Sequence, residues 1–310
     1  MIEYDPHNWR SHLLDIRGSM VREILWRVLA CVLWAAAVTI LYELAIAQAD
    51  DPLRIWTMSI HTALGTALGL LLVVRTNSSY DRFWEGRRMW GNIINESRNL
   101  ARFCHAHLPG AEALRRRTLS WLVAFVYASM HRLRGVKGLG PAAESLPAAE
   151  VCAVLDSDHV PLAAARQITS CLVEARDQGN ISDYLLVDGD HNVQLLVDYL
   201  GSCERIHRTP LPFAYMVHLR RALLLYCYTL PLALVSDFSW WTIPCTLLVA
   251  YVLFGVEEIG VEIEDPFGDD ENDLPLEQFC DTIRRNIEGL EEPAHGGAGG
   301  ITITLRANDQ

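Results

Sequence analysis

Few residues in this sequence have types and spacing suited to chemistry. His61 is the one ionisable group in the stretch from Ile55 to Val74, which holds no Asp, Glu, Lys or Arg. An ionisable side chain inside so apolar a run is a functional candidate, because burying it in lipid is costly. The structural alternative is a neutral imidazole bonded to a carbonyl of a neighbouring helix. Asp269, Asp270, Glu271 and Asp273 are a second candidate, since closely spaced hard oxygen ligands suit Ca²⁺. A solvated acidic turn would use the same residues. His105, His107, His191, His207 and His218 stand alone and read as surface or packing residues. The cysteines at 31, 104, 152, 171, 203, 227, 245 and 280 form no CxxC and no zinc-type spacing with histidine, so they read as small packing residues in a reducing compartment. No glycine-rich phosphate loop, HExxH, GxSxG or Walker motif occurs. An enzyme is not expected.

The elements that would position these residues are apolar blocks. The 310 residues carry 26 basic and 38 acidic side chains, a net charge of −12, with 51% apolar residues. A mean hydropathy of +0.14 beside 21% charged residues requires the apolar residues to be gathered together. Disorder, collagen and disulfide scaffolds are excluded. Ile24–Ala49 is apolar except for Arg27 and Glu43, and Ile55–Val74 is uncharged. Leu219–Val235 is apolar after Arg220 and Arg221, and Trp240–Val256 is apolar throughout. Because roughly 20 helical residues cross a ~30 Å hydrocarbon core, the first two blocks are long enough to span a membrane. The last two are shorter and carry Pro231 and Pro244, which neighbouring helices can accommodate. Buried core helices of a soluble protein are the alternative, but such helices seldom run this far without charge.

Arginine sets the orientation. The connectors Gln48–Arg54 and Ser236–Ser239 hold one basic residue, Arg54, whereas Arg75–Arg221 is arginine-rich. Positive residues stay on the cytoplasmic side, so both termini and the central region are expected there. Trp240 and Trp241 suit an interfacial belt. The N-terminus shows no signal-peptide cleavage pattern, so the first span is expected to be retained.

The three-or-four spacing of Tyr80, Phe83, Trp84, Arg87, Trp90, Ile93, Ile94, Ser97 and Leu100 predicts one long helix leaving the membrane and ending near Leu108-Pro109-Gly110. Helices are expected over Ala111–Leu133, Ala148–Leu155, Leu162–Gln178 and Asn192–His207, the last closed by Thr209-Pro210-Leu211-Pro212. After Gly289 the composition suggests disorder, with Ile301–Leu305 the one stretch resembling a strand. The expected organisation is a cytoplasmic segment (1–23), two membrane helices (24–74), a helical cytoplasmic region (75–218), two further membrane helices (219–256), an acidic segment (257–288) and a tail (289–310).

Four motifs in register carry a family resemblance. Arg75-Thr-Asn-Ser-Ser-Tyr80-Asp-Arg82-Phe83-Trp84-Glu85 with Arg88-Met-Trp90-Gly91 resembles the helix beyond the pore neck of bestrophins, the bacterial ones especially. Arg17-Gly18-Ser19, Arg208-Thr-Pro210-Leu-Pro212-Phe213-Ala-Tyr215 and Glu262-Ile-Glu264-Asp265-Pro266-Phe267-Gly268 with Asn272-Asp273-Leu-Pro275 match in the same order. The resemblance covers the chain from about residue 15 to about residue 285. It implies an all-α membrane protein with four transmembrane helices and a helical cytoplasmic region, assembled as a homopentamer around one pore in a bacterial inner membrane. Its partners would be further copies of itself, the bilayer and permeant ions, with no nucleic acid. Chloride-type anions are the family default, and a sodium or potassium channel of the same fold is the alternative. A secondary transporter would show repeated halves, which are absent; a non-conducting signalling or scaffold protein is the remaining reading.

The resemblance also implies site residues. The family lines its neck with bulky apolar residues one turn apart on the second span, and counting back from Arg75 these positions fall on Ser59, Ala63 and Ala67. Their side chains are small, a departure from the pattern. With a shifted register the lining is Thr62, Thr66 and Leu70. Small residues here, Gly65 and Gly69 included, also suit close helix packing. A second constriction at the cytoplasmic mouth is expected within Ile181–Leu185, with Ile181 and Tyr184 as candidates. Asp270 and Asp273 match a calcium clasp of animal relatives best, with Asp269 as the third candidate; calcium is the candidate cofactor, and none is required. Arg17, Arg75, Arg82, Arg87 and Arg98 are expected to bridge to Glu85, Glu96, Glu262 and Glu264 between subunits or to meet anions. Glu257 and Glu258 are expected partners of Arg220 or Arg221.

Overall fold

The structure, a computed structural model, describes residues 19–46 and 58–291. Arg17 and Gly18, the first connector, most of the tail and the suggested strand at Ile301–Leu305 lie outside the described residues. The helices are α1 (Val21–Ile46), α2 (Met58–His107), α3 (Glu112–Leu133), α4 (Ala148–Leu155), α5 (Val160–Asp177), α6 (Asp183–Arg208), α7 (Phe213–Phe238), α8 (Thr242–Glu262) and α9 (Leu276–Glu291). Two 3₁₀ turns, Gly140–Ser145 and Ser239–Trp241, complete the regular structure, and the described residues contain no strand.

Length and apolarity explain the membrane part. Val21–Leu44, Met58–His107 and Phe213–Glu262 are each long and apolar enough to cross a bilayer, the last being α7 and α8 joined through the Ser239–Trp241 turn. Ile24, Val28, Cys31, Leu68, Leu72, Leu219, Leu223, Cys227, Ala250 and Phe254 form their shared core. Outward, α1 shows Trp26, Leu33, Leu41 and Leu44, and the turn shows Trp240 and Trp241. The two charges that interrupt the first apolar block sit at its two ends. Arg27 pairs with Glu258 at 2.7 Å and Glu257 at 3.3 Å, and Glu43 accepts a hydrogen bond from the Ser239 hydroxyl. Arg220 completes the cluster with Glu257 at 2.9 Å, the expected partnership.

The second core is built around α3. Trp121, Leu122, Ala124, Phe125 and Val126 are all buried, so this helix is covered on every side, by α5 and α9 among others. Trp90, Ile93, Leu100 and Phe103 of α2 belong to the same core, whereas Leu68 and Leu72 belong to the membrane one. Helix α2 is therefore a single strut of fifty residues, about 75 Å long, through both halves. The boundary placed at residues 74/75 is not a break in the chain.

Helix α6 begins at Asp183, well before the expected Asn192. Ser182 caps it by accepting the Leu185 N–H, and Asp183 places an acid in the first turn. A Cβ at Gly189 would lie 2.9 Å from the Phe103 ring, so this glycine inside the helix serves the packing of α6 on α2.

Candidate functional site

The membrane half of α2 has two faces. His61, Leu68, Leu72, Arg75 and Ser79 are buried against the rest of the protomer. Ser59, Thr62, Ala63, Thr66, Ala67 and Leu70 are all exposed, so both predicted stripes lie outward. A helix turns by about 100° per residue, so a stripe of every fourth residue drifts about 40° per step. The centre of the exposed face consequently draws on both stripes, through Ser59, Ala63, Thr66 and Leu70, and continues to Val74; Thr62 and Ala67 fall on its flanks. Leu70 is 67% exposed and Val74 51%. Val74 was missed by fixed spacing of four; alternating steps of three and four would have reached it. The hydroxyls on this face are satisfied locally, Thr62 donating to the Met58 carbonyl at 3.0 Å and Thr66 to that of Thr62 at 2.9 Å.

The small residues divide between two roles. At Gly65 a Cβ would sit 2.7 Å from the Tyr226 hydroxyl, so α7 needs that glycine to approach α2. Gly69 has nothing within 4 Å of such a Cβ. His61 belongs to the packed face: Nε2 lies 3.0 Å from the Thr229 hydroxyl, and the ring leans on Tyr226. Since that hydroxyl donates to the Leu225 carbonyl at 2.7 Å, its lone pair accepts from Nε2–H. The histidine thus bonds a neighbouring helix, through a hydroxyl where a carbonyl was expected, and points away from the exposed face.

Just beyond the apolar block, the separate sequence motifs meet around α2. Arg75 is fully buried and reaches Glu264 at 3.5 Å and the Met216 sulfur. Glu264 also accepts the Leu211 N–H at 3.0 Å. Arg82 donates to three carbonyls, those of Glu264 at 2.9 Å, Ile206 at 2.7 Å and Thr209. A Cβ on Gly260 would come within 2.9 Å of Arg75 Nε, and one on Gly86 within 2.9 Å of the Phe267 ring. Arg75 and Arg82 therefore clamp α2 within one chain, where bridges between subunits were expected. Arg87 stacks on Phe279 and Glu85 pairs with Arg205. Arg98 has no partner within the protomer among the described residues.

The two mouth candidates separate. Ile181 is 5% exposed and belongs to the cytoplasmic core, so its side chain is not available to a ring and that assignment is corrected. Tyr184, in the first turn of α6, is 89% exposed. The segment is a capped helix start, so the buried residue lies before the cap and the projecting one after it.

The acidic run does not form a cation cage. Asp269 pairs with Arg134 at 2.9 Å, and Asp273 turns Oδ2 to the Asp270 N–H at 2.8 Å. Among the described residues no group of three or more His, Cys, Asp or Glu is arranged to hold a metal ion. Asp273 is buried, and burial pushes its carboxyl up to about 6; the Asp270 N–H opposes this, while the charges of Asp270, Asp265 and Glu262 add to it. Asp269 and Asp273 are thus engaged within the protomer, in a segment whose Pro266 and Phe267 pack on α2 at Gly86.

Comparison with known proteins gives a uniform result. The profile described as Bacterial/Fungal Bestrophin protein matches residues 1–289. The chain is 40% identical to voltage-dependent anion channel-forming protein alr2987 of Nostoc sp., covering 91% of this chain and 92% of that protein. It is 39% identical to the similarly named sll1024 of Synechocystis sp., covering 92% of each. The crystal structure of a bacterial Bestrophin homolog from Klebsiella pneumoniae superposes with a TM-score of 0.80 at 32% identity, over 87% of this chain and 100% of that one.

Proposed function

The chain belongs to the bacterial and fungal bestrophin family, and from that premise we propose that it is a passive channel for small chloride-type anions, a homopentamer with α2 at the axis. Each subunit would cross the inner membrane four times, through α1, the first half of α2, α7 and α8, with both termini cytoplasmic. The arginine bias between Arg75 and Arg221 supports that orientation. Relatives that share its length carry names of anion channel-forming proteins, which supports the sign of the permeant ion.

The observation that carries the reading is the contrast between the exposed faces of α1 and α2. Lipid is met by large apolar side chains, and α1 presents Trp26 at 78% exposure and Leu33, Leu41 and Leu44 each above 60%. Helix α2 presents Ser59, Ala63, Thr66 and Ala67 beside Leu70, with Ile60, Leu64 and Val73 on the flanks of that face. Small and hydroxyl-bearing positions belong against other helices or water, not acyl chains. Symmetry copies of α2 supply both. The neck would then be a short apolar constriction at Leu70 and Val74, above which Thr66, Ala63 and Ser59 leave a wider, wetter passage; apolar rings gate by excluding water. Tyr184 would ring the cytoplasmic mouth. No calcium enters this reading.

Recording from the purified protein in a planar bilayer under a chloride gradient tests it. Stepwise currents reversing near the chloride equilibrium potential are expected. Reversal near the cation potential would change the ion, and silence in every condition would leave a scaffold.

A further inference from the structure

Helix α2 does not stop at the neck, and its outward face continues into the cytoplasmic half, half-buried at Gly91 and Asn92 and exposed again from Asn95. Beyond Leu70 and Val74 the exposed positions are Asn77, Tyr80, Asp81, Trp84, Arg88, Asn95, Arg98, Asn99, Arg102 and Ala106. Steps of three and four keep these on the side that carries Leu70, with no proline in the helix to turn them away. Three are arginines and one, Asp81, is an acid. The arginines of α2 fall into two groups. Arg75, Arg82 and Arg87 point into the protomer and are all engaged, by Glu264, by backbone carbonyls and by Phe279. Arg88, Arg98 and Arg102 are exposed and make no ion pair or hydrogen bond within the protomer among the described residues. Arginines elsewhere in this chain are engaged too, Arg117, Arg132 and Arg134 each pairing with a carboxylate.

We propose that Arg88, Arg98 and Arg102 line the cytoplasmic vestibule below the neck and concentrate small inorganic anions at its entrance. The inference rests on the conducting reading above and deepens it by naming residues that set ion preference. Arg88 lies about 27 Å along the helix from Leu70, and Arg102 about 21 Å further. Repeated by symmetry, they form rings of positive charge inside a walled space, where field lines are focused and counter-ion concentration rises. Guanidinium groups remain charged at any working pH, so the attraction is constant and sensitive mainly to salt.

The test is a triple variant, Arg88→Gln, Arg98→Gln and Arg102→Gln, recorded beside the wild type and Arg166→Gln, an exposed arginine on α5 away from this face. At roughly 10 mM salt, where the screening length is about 30 Å, anion conductance of the triple variant falls about threefold or more and selectivity shifts toward cations. At roughly 1 M, where the screening length is about 3 Å, the difference vanishes. A silent wild type would defeat the conducting reading; a conducting wild type with an unchanged triple variant at low salt would defeat this one alone. If the triple variant does not assemble, Arg98→Cys in a Cys152→Ser background decides. A negatively charged thiosulfonate applied from the cytoplasmic side lowers low-salt anion current, and a positively charged one restores it. Equal effects of both reagents, or none, would mean that these arginines bridge subunits or face bulk solvent.

Discussion

Gly260→Ala probes the clamp that holds α2. Gly260 lies on α8, and a Cβ there would come 2.9 Å from Arg75 Nε, 3.5 Å from Cδ and 3.6 Å from Cγ. Arg75 is fully buried and fixed by Glu264, which is itself fixed by the Leu211 amide, so the stem has no free space to retreat into. Relief requires α8 to lift from α2 or the guanidinium to leave Glu264. Overpacking of this kind costs about 1–3 kcal/mol, and the better helix propensity of alanine returns at most about 1 kcal/mol. A net loss of about 1–2 kcal/mol follows. Gly201→Ala is the matched control, an exposed position of α6 with nothing within 4 Å of an added Cβ. It carries the propensity gain without the clash and should stabilise by about 0.5–1 kcal/mol. Thermal unfolding of the detergent-solubilised protein should therefore move in opposite directions for two identical chemical changes. Equal shifts, or a tolerated Gly260→Ala, would show that α8 does not press on Arg75.

Other outcomes follow from the same geometry. Ala63→Phe, in the middle of the outward face, should cut single-channel current sharply, and full current would place that position off the conduit. The raised carboxyl of Asp273 makes stability fall as pH rises from the unfolded value of 3.8 through about 6, because the folded state holds its proton longer. At about 1.4 kcal/mol per pH unit the loss is at most about 3 kcal/mol. Asp273→Asn keeps an acceptor for the Asp270 amide and should flatten the melting profile between pH 4 and 7; an unchanged slope would contradict this. Chelating calcium should leave currents unaltered, since Asp269 is engaged by Arg134 and Asp273 faces an amide.

Much of the fold was legible in the sequence because periodicity and breakers are local. The span of α2 past Arg75, its end before Pro109 and the limits of α4 follow from apolar spacing and proline placement. The start of α6 at Asp183 was not read from the sequence, and the packing that accommodates its Gly189 comes from Phe103, distant in sequence. Ile181 and Tyr184 differ little as letters; a capping serine between them sends one into the core and the other outward. Gly65 and Gly69 likewise look alike until Tyr226 arrives from α7. The charged residues were hardest. Sequence does not separate the arginines of α2, and only distant partners such as Glu264 and Phe279 show which of them are engaged within the protomer.

Cadmium block of Leu70→Cys tests most directly whether α2 encloses the conduit. Thiols brought together at an axis make a site for a soft cation, whereas thiols facing lipid remain apart. The account predicts that Cd²⁺ at micromolar concentration abolishes current through Leu70→Cys while sparing the wild type and Leu33→Cys on the outward face of α1. Undiminished current through Leu70→Cys in the presence of Cd²⁺ would contradict it.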